Sequence, residues 1–120
     1  MGINWTTSII NPKELIQISR GDQKVIYKYL KQFKELIPQR IENLEEKLKS
    51  RDRKAVRQLL HQMSPQLHFF GIKDIVQPIR RLEHEYETMP FEELSTLVDT
   101  ILIKLNIAIK DVDLTLKENF

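Results

Sequence analysis

The sequence predicts an all-α fold: an antiparallel up-down four-helix bundle with a short additional N-terminal helix. Three observations predict it. Apolar residues recur at three- and four-residue spacing through most of the chain, the breaks between these periodic stretches are short, and 120 residues include only 3 Gly and 5 Pro, too few for a many-turned β fold. With 41% hydrophobic and 30% charged residues the chain is not of the disordered class, and its length suits one domain, residues 1–120, with a continuous core.

Asn11 and Pro12 read as a cap and a first-turn proline that open a short helix running to about Ser19. Gly21 suits the end of that helix, and Asp22 the cap of the next. From Asp22 to about Lys49, Ile26, Leu30, Phe33, Ile37, Ile41, Leu44 and Leu48 form one apolar stripe on a long amphipathic helix. Ser50 to Arg53 break the stripe. Asp52 then caps a helix whose inward face is Val56, Leu59, Leu60, Met63, Leu67 and Phe70, with Gly71 as its stop. A third bundle helix is expected from about Asp74 to Glu87, with Ile75, Ile79, Leu82 and Tyr86 inward. The last is expected from Pro90 to about Lys117, burying Phe91, Leu94, Val98, Ile101, Leu105, Ile109, Val112 and Leu116. Pro38, Pro65 and Pro78 fall inside these helices, where each removes a backbone donor and can bend the axis.

The formal charge of +2, from 19 basic and 17 acidic residues, calls for neither nucleic acid nor an anionic membrane as partner. The basic stretch from Lys47 to Lys54 lacks interleaved aromatics and spans a turn, so solvated helix faces are its default reading. No cysteine is present, which removes disulfides and thiolate metal sites and fits a reducing, cytoplasmic setting. No apolar run reaches the roughly 18 residues of a membrane span, and MGINWTTSII lacks the layout of a signal peptide. MGINWT matches a myristoylation pattern formally, but no polybasic second anchor follows, and the match is read as chance. Trp5 and Phe120 are expected to dock the chain ends.

The stretch HQMSPQLHFFG, His61 to Gly71, carries the chemistry. On a helical wheel with His61 at zero, the apolar residues of this helix fall between roughly 160° and 260°, so His61 points away from the core. Arg57, Ser64, Pro65 and His68 lie within about 60° of it. The result is an exposed polar strip centred on an imidazole. Pro65, four residues on, leaves the His61 carbonyl without its intrahelical donor.

These residues resemble the histidine-containing phosphotransfer (HPt) domains of multi-step phosphorelays. His61, Met63, Ser64, Pro65, Gly71 and Ile72 fall where the family has its phosphorylatable His, an apolar residue at plus two, often Lys and Gly at plus three and four, and a Gly-Ala-like pair at plus ten and eleven. The segment SRGDQKVIYKYLKQFKELIPQRIENLEEKLKSRDRKAVRQLLHQMSPQLHFFGIKDIVQPIRRLE follows the family's rhythm of helices and loops. The resemblance implies that His61 accepts a phosphoryl group from an aspartyl phosphate of a response-regulator receiver domain and passes it to another receiver. A hybrid histidine kinase is a further implied partner. Neutral imidazole has the lone pair such chemistry needs. The protein would then be a phosphocarrier rather than a turnover enzyme, without ATP-dependent kinase activity and with no cofactor of its own, the Mg2+ residing on the receiver. Pro65, His68 and Gly71 are the implied partner interface.

The chain departs from the pattern at two positions. The plus-three Lys is replaced by Ser64, which brings one hydroxyl and no positive charge, and Arg57 is the expected compensating cation. At plus twenty-two, where several family members have Gln, the chain has Glu83, whose carboxylate can hold Nδ1–H and expose Nε2, yet repels a phosphoryl group at close range. A reading from a different class is a helical adaptor that binds a receiver or another signalling partner without carrying phosphate. A third, a metal site from His61, His68 and Glu83, is disfavoured because the two histidines lie about 10 Å apart along the helix axis.

Overall fold

The protein was analysed as a computed structural model that describes residues 2–120; Met1, with which the formal myristoylation pattern begins, lies outside the described residues. Among them every regular element is a helix: α1 (Lys13–Ser19), α2 (Gln23–Lys49), α3 (Arg53–Phe69), α4 (Val76–Glu85) and α5 (Phe91–Asn119). The expected caps are in place. Asp22 accepts from the Lys24 N–H at 2.9 Å and Asp52 from the Ala55 N–H at 3.0 Å, each satisfying a first-turn donor that the helix cannot. Asn11 does the same for Lys13 at 3.0 Å, with Pro12 between cap and helix.

α2 packs on α3 and α5, α4 packs on α3 and α5, and α1 leans on α2. The buried face of α2 is Ile26, Leu30, Phe33, Ile37, Ile41 and Leu44, with Leu48 half-buried. That of α3 is Val56, Leu60, Met63 and Leu67, continued by Phe70, whose ring lies 4.4 Å from that of Phe33. Each such side chain contributes about 1.5–3 kcal/mol of burial. Leu60, Met63 and Leu67 therefore fix the rotation of α3, and with it the outward direction of His61.

Three details differ from expectation. α4 is shorter than the expected 74–87, because Asp74 takes a left-handed φ of 62° and Tyr86 closes the helix. Pro78 is consequently the third residue of α4, within the first turn, where no intrahelical N–H partner is lost. Pro38 and Pro65 are interior, and α2 and α3 run through them without a break. Leu59, Tyr86, Phe91, Ile109 and Leu116 are half-buried rather than buried.

The third difference concerns α5, which buries Ala108, Asp111 and Thr115 alongside Leu94, Val98, Ile101, Leu105 and Val112. The cause is the N-terminal segment, which lies along the last turns of α5. Asp111 accepts from the Ser8 hydroxyl and from the N–H groups of Ile9 (2.8 Å) and Ile10 (3.3 Å). Thr115 accepts from the Thr6 N–H at 3.0 Å, and Asn119 pairs with both backbone groups of Asn4. Residues 111, 115 and 119 are one turn apart, so a single stripe of α5 holds the whole segment. Trp5 packs against the core as expected of an anchor, whereas Phe120 is 47% exposed against the edge of Tyr27.

The same segment reaches the end of α3. The Asn11 N–H donates to the Phe70 carbonyl at 2.9 Å. Gly71 follows with φ +60°, and a Cβ there would stand 2.8 Å from Asn11 Cβ and 2.9 Å from the Asn11 carbonyl oxygen. Only glycine fits both the backbone angle and the approach.

Candidate functional site on helix α3

His61 lies in the middle of α3 with its side chain 65% exposed, and its Nδ1 is 3.1 Å from Glu83 Oε1 on α4. A carboxylate oxygen only accepts here, so Nδ1 carries the hydrogen and, in the neutral ring, Nε2 keeps the lone pair. Glu83 is anchored by its position beside buried Leu82 and Ile79 and is itself only 25% exposed. The ring is thus held by a fixed group while its other nitrogen faces solvent.

Between α3 and α4 runs a groove of roughly 380 Å³. His61, Ser64, Pro65, His68 and Glu83 line it, over an apolar floor of Leu67, Ile75 and Ile79. The helical strip read from sequence is therefore one wall of the groove, and Glu83 belongs to the other. His68 and Val76 continue into a second groove of roughly 460 Å³ that includes Gly71, Asn11 and Lys13. Val76 is 39% exposed. His84, by contrast, is exposed elsewhere on α4 and does not line the groove.

Arg57 does not join this group. Its guanidinium lies over the Tyr86 ring, 5.8 Å from the centroid, and its Nε is buried with no hydrogen-bond partner among the described residues. The aromatic face at the end of α4 attracts the cation, so the side chain runs toward α4's C-terminus rather than toward Ser64. The structure instead places Arg80 in the groove. Arg80 is not among the site residues expected from the sequence. Its signal was the three-residue spacing to Glu83, which puts both on one face of α4.

A larger groove, about 770 Å³, lies mainly on α2 and α5 and is rimmed by Glu42, Glu45, Glu46 and Asp99, with Lys49 and Arg51 at one end. Carboxylates outnumber cations in its lining, and no histidine lines it. Among the described residues no group of three His, Cys, Asp or Glu is placed to hold a metal ion.

A family model described as the Hpt domain matches residues 28–113, a span that includes the His61–Glu83 pair and the groove. The chain belongs to the Hpt domain family. Hpt domains carry out histidine phosphotransfer in phosphorelays and interact with response-regulator receiver domains and histidine kinases. No curated protein and no solved structure matched the chain. Among the described residues of this Hpt domain no helix is long and apolar enough to cross a membrane.

Proposed function

We propose that this Hpt domain is a phosphocarrier that takes a phosphoryl group from an aspartyl phosphate of a receiver domain onto His61 Nε2 and delivers it to a second receiver. The observation that carries this is the outward-facing imidazole of His61 with Nδ1 held by Glu83. The Nε2 lone pair attacks phosphorus, the P–O bond to the aspartyl carboxyl breaks, and the carboxylate leaves with the electron pair. The ring keeps its Nδ1–H and becomes cationic, and the Glu83 carboxylate accepts that hydrogen bond more strongly than it does from the neutral ring. Transfer onward is the same step reversed.

Phosphoryl transfer depends mainly on positioning and charge stabilisation, so half of the reacting assembly can come from the partner. An imidazole exposed at the edge of a groove suits that division. The divalent cation is assigned to the receiver, Ser64 to hydrogen bonding at the phosphoryl group, and Pro65, His68 and Gly71 to the docking surface. We further infer that residues 1–120 act as one unit with up-down antiparallel helices in the cytoplasm.

The test is incubation of the full chain with a phosphorylated receiver domain, followed by mass spectrometry under non-acidic conditions. Acid-labile phosphate on His61, absent in His61→Gln, is the expected result. An unlabelled chain that still binds the receiver, from a panel that labels another Hpt domain, would make it an adaptor instead.

A further inference from the structure

We infer that Arg80 is the residue that binds and neutralises the phosphoryl group on His61; this rests on the phosphocarrier reading and names a charge partner the sequence pattern does not supply. A phosphoryl group on Nε2 brings two negative charges into a groove that already holds the Glu83 carboxylate, 3.1 Å from Nδ1 of the same ring. Such a site needs a cation. Ser64 has none, and the Arg57 guanidinium is engaged with Tyr86.

Arg80 meets the requirement on three counts. It lines the groove together with His61, Ser64 and Glu83. It lies one turn before Glu83 on the same face of α4, so the helix that orients the imidazole also delivers the cation. Its guanidinium also makes no hydrogen bond or ion pair among the described residues, whereas neighbouring Arg81 is tied to Glu85 and Glu93. Of the residues lining the groove, Arg80 alone carries a permanent positive charge. Its planar fork can give two N–H groups to phosphoryl oxygens, and its exposure leaves it free to reach a group that arrives from solvent.

The test uses phosphoramidate, a small donor that replaces the receiver: the Nε2 lone pair attacks phosphorus, the P–N bond breaks and ammonia leaves. The full chain, Arg80→Ala, Arg80→Lys and Arg81→Ala are compared for the rate of His61 labelling by phosphoramidate and by a phosphorylated receiver. Loss of a charge-assisted bond predicts about tenfold slower labelling of Arg80→Ala by both donors. Arg80→Lys should recover most of the rate and Arg81→Ala should match the unaltered chain. Wild-type phosphoramidate labelling of Arg80→Ala overturns the inference, and a defect confined to the receiver reaction does so too, making Arg80 a docking contact. Failure of the unaltered chain to label with either donor would instead overturn the phosphocarrier reading, and the inference with it.

Discussion

Glu83 stands where a neutral amide would hold the imidazole without adding charge, and the geometry shows what the carboxylate does in exchange. At 3.1 Å from Nδ1 it accepts from the ring and so sets its tautomer and orientation, and on the proposed mechanism it would stabilise the ring once phosphorylation had made it cationic. The cost is repulsion of the incoming phosphoryl group. Glu83→Gln keeps an acceptor and removes the charge, so initial labelling by a receiver should be as fast as in the unaltered chain or faster. Glu83→Leu removes the acceptor, and labelling should slow by about tenfold, as expected for one lost orienting hydrogen bond of about 1–1.5 kcal/mol. Equal rates in both variants would show that Glu83 does not orient His61. The position of Arg57 teaches a related point: on a wheel it neighbours His61, but a long side chain goes where an aromatic face draws it.

Among the elements, α5 does two jobs with two stripes. Its apolar stripe joins the core, and its polar stripe at 111, 115 and 119 binds the N-terminal segment. That segment in turn pins the turn after α3 through Asn11 and Gly71, next to the proposed docking surface. Asp111 is the charged group among these ties and is buried, at 2% exposure. Asp111→Ala would leave the Ile9 and Ile10 N–H groups without their acceptor, and urea unfolding should show a loss of about 2–4 kcal/mol, since an orphaned buried donor costs about 1–3 kcal/mol. A change below about 0.5 kcal/mol would mean that the segment is held by its apolar residues alone.

The molecule as a whole measures 50 × 21 × 20 Å, a shape set by its two long helices. α5, with 29 residues, is about 43 Å long at 1.5 Å per residue. These helices are also joined by charge: Lys34 of α2 reaches Asp113 of α5 at 2.5 Å, and Lys117 reaches it at 3.1 Å. The Lys34 hydrogen bond first, and Lys117 next, hold the Asp113 carboxyl below its ordinary value of 3.8. A carboxyl whose folded value is lowered adds stability that is complete above the unfolded value and disappears as pH falls through the folded one. Acid unfolding of Asp113→Asn should therefore show a shallower loss of stability below about pH 4 than the unaltered chain, with the two converging at lower pH. The difference will be small and will shrink in high salt, because the pair is solvent-screened. Parallel acid limbs would show that the contact contributes nothing.

Helix number, caps and the faces of α2 and α3 were legible because they depend on local rules: periodicity places Leu30 and Leu60 inward, and an aspartate before a helix satisfies its free N–H groups whatever the surroundings. The outward direction of His61 and its pairing position with Glu83 came from the same periodicity and the family spacing. What packing between distant segments decided was different in kind. Burial of Asp111 and Thr115 depends on a segment about a hundred residues earlier in the chain, which supplies the hydrogen bonds that make a buried carboxylate tolerable. The choice of Arg80 over Arg57 at the groove likewise depends on how α3 and α4 lie against each other, since that contact puts an aromatic face beside one arginine and leaves the other open to the imidazole's groove.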